Sequence, residues 1–275
     1  IFGMILKHLE DNHDCDNQLG KLHRNVTKDG SLSLYNETYK EGFHCIDGAL
    51  KETIEKFLRT SELDRYKNVQ NISILDVCIG LGYNTATILN EISSRNQSVS
   101  WWGLEIDKRP LDFAIKHNVF NSFCSTEVAK QLETLNIKGS WKHENTKGKV
   151  LWGDARNRIK DIPTEVKFDL ILLDPFSPQK CPQLWNQEFL AHLSKKLSLN
   201  GRLITYCTAS AIRKSLIKAD LKIFSVLPSN NDKSKWSAGT IAIQESNNEE
   251  ITALCKPLSK MELEHLKTKS SVPYR

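Results

Sequence analysis

Four acidic residues stand at or near the ends of apolar runs, where side chains that bind polar ligands are often placed. Asp76 lies in ISILDV and Glu105 near the end of VSWWGLEI. Asp154 follows VLWG, and Asp174 follows FDLILL. In an open α/β sheet the carboxyl ends of parallel strands meet at one edge, and ligands bind there. Because carboxylates accept hydrogen bonds from hydroxyl, amino and ammonium groups, this spacing predicts one polar ligand site.

The first of these runs continues into a glycine turn, DVCIGLGYNT, and then into a helical pattern. Gly80 and Gly82 let the backbone approach a ligand closely, and the start of the helix offers free N–H donors. A strand, a glycine turn and a helix in this order are typical of nucleotide-type pockets. A dinucleotide fingerprint would have a third glycine where Thr85 stands, and the sequence has no GxxxxGK[ST] phosphate loop.

The identity of these acids favours S-adenosylmethionine (SAM) as the ligand. Asp76 would repel a pyrophosphate but suits a ligand with a cationic amino-acid end. Glu105 follows the glycine turn at close to the ~20-residue offset at which an acid meets ribose hydroxyls. Asp154 is placed to accept a hydrogen bond from the adenine amino group, although taken alone it is more typical of a helix N-cap. The alternative for Glu105 is a solvated loop acid.

The rest of the pattern predicts the elements that position these residues. Five strands alternate with helices, and two final strands are joined by a loop too short for a helical crossover, so they should pair antiparallel. We therefore expect a seven-stranded, mostly parallel, doubly wound α/β sheet of the Rossmann-like class, with an antiparallel last strand. Residues 69–275 would form this domain, with a basic insertion at about 119–148 and a C-terminal helix and tail. Residues 1–68 would form an extension in which 1–30 are loosely held, a hairpin follows, and a helix begins at Asp47.

Composition narrows the class of protein. The 275 residues are 39% hydrophobic and 26% charged, which predicts a packed globular core. No apolar run approaches the ~20 residues of a membrane helix, and no signal-peptide pattern opens the chain, so we expect a cytoplasmic protein. The seven cysteines form no CxxC motif, so neither a metal site nor a disulfide framework is expected. A net charge of +5 is compatible with a polyanionic partner or with an ordinary lysine-rich surface.

Several segments resemble a known family: DVCIGLGYNT, GLEIDKRPL, LWGDAR, FDLILLDPFSPQKCPQLWNQEFL, GRLITYCTASAIRKSL and SAGTIAI. The first resembles motif I of class I SAM-dependent methyltransferases, although Cys78 stands where that motif has its first glycine. Together, across about residues 35–243, they are similar to the MnmC-type tRNA wobble-uridine methyltransferases. The most specific piece is LLDPFSPQKCPQLW. Fused members of this family carry a flavin-dependent oxidase module; here we expect a stand-alone methyltransferase without FAD.

The resemblance implies transfer of a methyl group from SAM to the primary amine of 5-aminomethyl-(2-thio)uridine at the tRNA wobble position. Asp174 matches the family aspartate that faces this amine. The reaction is an in-line displacement at a sulfonium methyl, so the enzyme must align the amine lone pair and help to remove a proton. An ordinary carboxylate is a poor base for an amine. Asp174 is therefore expected to position the amine, and its role as proton acceptor stays open.

The predicted site residues fall into three groups. The catalytic residues are Asp174 and Tyr206. The cofactor-binding residues are Asp76, Cys78, Gly80, Gly82, Tyr83, Asn84, Glu105, Ile106, Asp154, Ala155 and Asp174. Phe176, Arg213 and Lys214 are expected to bind the substrate. Phe176 and Tyr206 would stack on an unstacked uracil, unless they are core residues. Basic residues that would follow tRNA phosphates, or else only solvate the surface, are Lys138, Lys142, His143, Lys147, Lys149, Arg213, Lys214 and Lys218.

Two other functions remain open from the sequence. A related class I methyltransferase could act on a small amine or polyamine, in which case further acids should surround the pocket and a basic rim should be missing. A non-catalytic SAM-binding module would bind the cofactor, and changing Asp174 would alter no activity.

Overall fold

The computed structural model describes residues 19–95, 97–228, 237–244 and 253–274. Within them the strands form a small antiparallel sheet and a large mixed sheet. The small sheet consists of β1 (Leu22–Val26), β2 (Leu32–Asn36) and β3 (Glu41–Gly42). The large sheet contains β4 (Asn71–Val77), β5 (Ser98–Glu105), β6 (Ser140–His143), β7 (Thr146–Trp152), β8 (Phe168–Leu173), β9 (Leu197–Thr205), β10 (Leu221–Val226), β11 (Gly239–Gln244) and β12 (Cys255–Pro257).

The order of strands in the large sheet confirms the doubly wound α/β fold. The order is β12-β10-β11-β9-β8-β4-β5-β7-β6, and the five strands from β9 to β7 in this order are parallel. As predicted, β11 pairs antiparallel with β10, and it also lies antiparallel to β9. The chain runs outward from β4 through β5 to β7 and then returns to β8 on the other side of β4. Ligands bind at such a switch in strand order.

The sheet has nine strands among the described residues, not the seven predicted, because β6 and β12 add short antiparallel edges. These strands have four and three residues, too few for a periodic pattern to be visible in the sequence.

Helices cover both faces of the sheet. Three consecutive helical segments, Ala49–Thr53, the π-helical Ile54–Leu58 and Arg59–Ser61, are together called α1. The other α-helices are α2 (Tyr83–Ser93), α3 (Arg109–Lys116), α4 (Thr126–Lys138), α5 (Ala155–Arg158), α6 (Gln187–Lys196), α7 (Ser210–Lys218) and α8 (Lys260–His265). Short 3₁₀ turns occupy Leu63–Tyr66, Val119–Ser122, Ile159–Asp161, Pro182–Leu184 and Lys269–Ser271.

The central strands are buried on both faces, which explains their nearly continuous apolar sequence. On β8, Leu170 and Leu172 belong to the core under α1, α2 and α4, whereas Ile171 and Leu173 belong to the core under α6 and α7. This alternation holds the strand in one register, because a shift by one residue would exchange its two faces.

Several local predictions were wrong. The helix expected from Asp47 begins at Ala49, and the Asp47 carboxylate pairs with Lys28 at 2.9 Å instead. The basic insertion at about 119–148 contains β6 and α4, whose N-cap Ser125 accepts a hydrogen bond from the Val128 N–H. Of the loosely held segment 1–30, residues 1–18 lie outside the described part, and Leu22–Val26 form β1.

None of the helices in the described ranges has the length and apolar character needed to span a membrane.

Candidate active site

A cavity of about 440 Å³ opens at the carboxyl edge of the parallel strands. Its floor comes from the segments that follow β4, β5, β8 and β9, and includes Cys78, Gly80, Glu105, Asp174 and Tyr206. Its second wall comes from the N-terminal extension, through Tyr39, Glu41, Phe43, His44, Glu52 and Lys56. This size is in the range of pockets that enclose small molecules and cofactors.

The glycine turn after β4 passes through three residues with positive φ. Cys78, Gly80 and Gly82 have φ angles of 69°, 55° and 88°. Glycine adopts this conformation readily, whereas Cys78 does so at an energetic cost. A Cβ on Gly80 would lie 3.3 Å from the Phe43 ring, so the turn and the N-terminal extension are closely packed here. Cys78 and Gly80 line the cavity, and Gly82 lies behind them as the N-cap of α2.

Glu105 is the acid at the end of β5 and it faces both the cavity and the glycine turn. Its Oε2 accepts the N–H of Gly80 at 2.9 Å, and its Oε1 accepts the N–H groups of Ile106 and Asp107 at 2.7 and 2.8 Å. Burial raises its pKa to about 7, although these backbone hydrogen bonds act in the opposite direction. A carboxylate has about four acceptor positions, so Glu105 can still accept a hydrogen bond from a ligand hydroxyl.

Asp76 lies behind the cavity wall, contrary to its predicted contact with the methionine end of the cofactor. It is fully buried, and its Oδ2 accepts a hydrogen bond from Thr85 Oγ1 at 2.5 Å. Its Oδ1 has no hydrogen-bond partner among the described residues. Burial raises its pKa to about 7. In this arrangement Asp76 supports the turn from behind.

Asp154 is also outside the cavity lining, so the predicted adenine contact is not supported by its position. It is the N-cap of α5, where it accepts the Arg156 N–H at 2.9 Å and pairs with the Arg156 guanidinium at 2.5 Å. The N-cap alternative stated for this residue is therefore the one observed. Ala155 is buried in the core and does not line the cavity either.

Asp174 lies directly after β8, on the opposite side of the strand-order switch from Glu105. Its Oδ2 accepts a hydrogen bond from Asn84 Nδ2 at 2.8 Å, so α2 and the end of β8 meet at this point. Burial raises the pKa of Asp174 well above its usual value, and the negative charge of Glu52 raises it further. The hydrogen bond from Asn84 opposes this shift. A cation in the cavity would be attracted to this carboxyl group.

Aromatic rings line the cavity together with Asp174. The rings of Tyr39 and Phe176 stack with centroids 4.5 Å apart, and Phe43 meets Phe176 edge-on at 5.0 Å. Tyr206 donates its hydroxyl to the carbonyl of Pro175 at 2.8 Å, which fixes the loop that carries Asp174. Because burial raises the pKa of Tyr206, its hydroxyl stays protonated, and this geometry indicates positioning rather than proton transfer.

The residues of the N-terminal extension that line the cavity were missed at the level of sequence, and they include Glu41, His44, Glu52 and Lys56. Glu52 forms an ion pair with Lys56 one helical turn later, and its Oε2 accepts the Cys45 N–H at 2.8 Å. The i, i+4 spacing of an acid and a lysine was a visible signal, but it indicated only helix stabilisation. Burial lowers the pKa of His44 to about 4, so this ring is neutral at physiological pH. Glu41 accepts hydrogen bonds from Ser177.

The predicted substrate contacts at Arg213 and Lys214 are not supported. The side chain of Arg213 is 2% exposed and pairs with Glu262 at 2.7 Å inside the protein. Its guanidinium also donates to Thr240, Ser225 and Ser237, so it cannot reach a phosphate. Lys214 is bound to the carbonyl of Leu266 and to Ser271. Within the described ranges, no group of three or more histidine, cysteine and acidic side chains is arranged to hold a metal ion.

Comparison with known proteins gives a consistent result. Residues 118–240 match the model of a family described as S-adenosyl-L-methionine-dependent methyltransferase. A solved structure of MnmC2 from Aquifex aeolicus is similar with a TM-score of 0.76 and 28% identity, over 93% of this chain and 79% of that one. The chain is 30% identical over 197 residues to an uncharacterized protein of Methanocaldococcus jannaschii, covering 70% of this chain and 52% of that protein.

A further relative is the tRNA 5-methylaminomethyl-2-thiouridine biosynthesis bifunctional protein MnmC of Campylobacter hominis. It is 25% identical over 192 residues, which cover 68% of this chain and 28% of that protein. The chain thus spans about half the length of the first of these relatives and under a third of the second. The resemblance expected from the motifs is confirmed.

Proposed function

Because residues 118–240 match a SAM-dependent methyltransferase family and the chain is similar to MnmC proteins, we propose that it is a methyltransferase that uses SAM to methylate the 5-aminomethyl group of the tRNA wobble (2-thio)uridine. The product would be the 5-methylaminomethyl derivative. The observation that carries this proposal is the position of Asp174, a recessed carboxyl group between the glycine turn and a group of aromatic rings. A cationic amine on a flat ring is the acceptor that matches these neighbours.

Residues present in the cavity fit the cofactor. The turn from Cys78 to Gly80 lies beside Glu105, which retains acceptor capacity for a ribose diol. Ile106 and Asp107 continue the wall beyond Glu105. Tyr83 and Asn84 are the first two residues of α2 and also line the cavity. We propose that they belong to the cofactor-binding half of the cavity. S-adenosylmethionine would supply an activated methyl group on a sulfonium centre.

The residues in the other half of the cavity, around Asp174, would bind the acceptor amine and remove its proton. We propose that Asp174 attracts the ammonium form of the substrate, holds the amine by a hydrogen bond and accepts one of its protons. The surroundings that raise the pKa of Asp174 also make it a stronger base than an exposed aspartate. Asn84 keeps the carboxyl group oriented, and Tyr206 keeps its loop in place. Phe176 and its neighbours Tyr39 and Phe43 would exclude water from the reacting groups and contact the uracil.

The segment 1–68 is proposed to form an extension that completes the acceptor half, and residues 69–275 the methyltransferase domain. The anticodon region of tRNA is the proposed partner, and the cytoplasm is the location that this partner implies.

One observation favours a second candidate, a methyltransferase for small amines or polyamines. Glu41 and Glu52 line the same cavity as Asp174, so more than one acid surrounds the acceptor half. Acids spaced along a cavity would bind successive ammonium groups of a polyamine.

The decisive experiment incubates the protein with labelled SAM and tRNA from a strain that lacks this enzyme, followed by nucleoside mass spectrometry. We expect label in 5-methylaminomethyl-(2-thio)uridine. Spermidine and other small amines are tested in parallel reactions. Label in a small amine with none in tRNA would replace the first proposal by the second, and Asp174→Asn provides the inactive control.

A further inference from the structure

At the β5–β7–β6 edge the described helices cover one sheet face only in part: α5 packs near Leu104 at the end of β5, and the lysines further back on β6 and β7 are exposed. On the other face of this edge, Trp101 and Trp141 are buried against α4, and a Cβ on Gly148 would clash with the Trp141 ring. The partly covered face carries the residues that alternate with these: Lys147 and Lys149 on β7, Lys142 on β6, and Ser100 and Trp102 on β5. The three lysines are exposed, and Ser100 and Trp102 are half-buried.

Strand pairing brings the three lysines together. Lys142 pairs directly across from Lys147, and Lys149 is the next residue of β7 on the same face. Lys149 Nζ lies 5.5 Å from the centre of the Trp102 ring, which keeps this ammonium group over the sheet. The adjacent positions of β4, β5, β6 and β7 on this face hold serine, asparagine or apolar residues and no acid. Asp169, the carboxylate on the next strand, β8, is bound to the Ser73 N–H and to Ser198.

Like charges placed this closely repel one another and have no acidic partner on these strands, so the arrangement is costly unless an anion neutralises it. We propose that this surface, called here the lysine face (Lys142, Lys147, Lys149 and Trp102), binds the phosphate backbone of the RNA whose base enters the cavity. The proposal rests on tRNA being the substrate. A row of ammonium groups with an aromatic ring matches a nucleic-acid strand, which offers regularly spaced phosphates and stackable bases.

The distance from the lysine face to the cavity is short enough for one RNA stem to reach both. β7 runs towards the cavity edge, and at about 3.3 Å per residue Lys149 and Lys147 lie on the order of 10 and 17 Å before its end. Phosphates of the same stem as a base in the cavity fall within such distances. The eight basic residues named in the sequence analysis therefore do not all have the same surroundings. Arg213 and Lys214 form hydrogen bonds inside the protein. Lys142, Lys147 and Lys149 instead form one accessible surface.

The test compares two triple variants of the full chain. In the first, Lys142, Lys147 and Lys149 are changed to glutamine. In the matched control the exposed lysines Lys222, Lys260 and Lys269, which lie outside the lysine face, are changed to glutamine. Binding to unmodified tRNA is measured over a series of salt concentrations. SAM affinity by calorimetry and the thermal midpoint show whether each variant is folded.

We expect the lysine-face variant to lose about tenfold or more in tRNA affinity at about 0.1 M salt, and its log–log salt slope to fall by roughly two to three. The control should retain the wild-type slope, and both variants should bind SAM normally. If wild-type protein methylates tRNA and the lysine-face variant keeps the wild-type affinity and slope, the lysine face is wrong while the proposed function stands. If wild-type protein neither binds nor methylates tRNA, both proposals fall.

Discussion

Asn84 and Asp174 join the two halves of the cavity: the amide Nδ2 of Asn84 donates a 2.8 Å hydrogen bond to Oδ2 of Asp174. Asn84 belongs to the helix that starts at the glycine turn, and Asp174 follows the neighbouring strand β8. The residue proposed to hold the acceptor amine is thus oriented by the helix that begins at the cofactor half. One hydrogen bond thus links the proposed cofactor half of the cavity to the proposed acceptor half.

Asp174→Asn should lower methyl transfer by a factor on the order of 10²–10⁴ while leaving SAM affinity nearly unchanged, because the amide neither attracts the ammonium form nor accepts its proton. Single-turnover rates and calorimetry measure the two effects separately. Equal rates in variant and wild type would remove Asp174 from the reaction.

Asn84→Ala should shift the acid limb of the pH–rate profile to higher pH. The hydrogen bond from Asn84 opposes the rise in the pKa of Asp174, so removing the bond raises that pKa further. Asp174 must be ionised to hold the amine, and a higher pKa means that less of it is ionised at a given pH. Asn84→Asp cannot serve as a control because it adds a charge beside Asp174. The control is Thr87→Ala, a change of a buried residue on the same helix, which should leave the acid limb of the pH–rate profile unchanged.

Glu105→Gln should weaken SAM binding and remove its pH dependence. Burial raises the pKa of Glu105 to about 7, so in the free protein the carboxylate is lost as the pH falls below 7. The wild-type affinity for SAM should therefore fall between about pH 8 and pH 6, where the ionised acceptor of the ribose diol disappears. Calorimetry at several pH values tests this, and a variant that binds SAM like the wild type at pH 8 would exclude Glu105 from the ribose contact.

Glu52→Gln distinguishes the two candidate acceptors. Its ion pair with Lys56 lies in the acceptor half of the cavity, and Lys56 holds the pKa of Glu52 below its usual value against the effect of burial. If tRNA is the substrate, the variant should keep kcat within a few-fold and raise KM modestly. If a polyamine is the substrate, losing one ammonium site should raise KM by about tenfold or more.

Glu262→Gln should destabilise the fold by about 3–5 kcal/mol, because it removes the carboxylate charge that pairs with the buried Arg213 guanidinium. Burial acts to raise the pKa of Glu262, but hydrogen bonds from Ser225 and Ser259 and the bond from Arg213 outweigh it and lower the pKa to about 2. A lowered pKa stabilises the folded state above the unfolded pKa, near 4.5, and this contribution is lost as the pH falls towards 2. Urea unfolding at pH 7 and pH 3 should show a smaller difference between variant and wild type at pH 3. Glu264→Gln, an exposed neighbour on α8, should change stability little.

The parts of the fold that local sequence determines could be predicted, and the parts that depend on tertiary contacts could not. The bounds of β8, β10 and β11 follow from their apolar runs, because a strand buried on both faces must be apolar throughout. The cavity position of Glu105 and Asp174 follows from their place at strand ends.

The errors have specific physical causes. Arg213 stands on an amphipathic helix like a surface residue, and only the return of Glu262, far along the chain, allows it to be buried. Asp154 has the same place in the sequence as the other strand-end acids, but its own helix uses it as a cap. Glu52 and Lys56 reach the cavity because α1 docks beside the glycine turn, and this depends on packing such as that of Gly80 against Phe43.

The two walls of the cavity come from different parts of the chain, and this has a consequence for how specificity can change. The groups proposed to hold the methyl donor belong to the sheet and its turns, whereas many of the groups proposed to surround the acceptor belong to residues 36–56. Exchange of that short stretch between relatives would alter which nucleophile is accepted while the donor site is left intact. Acceptor choice in such proteins can therefore diverge by grafting a single segment onto an unchanged catalytic framework.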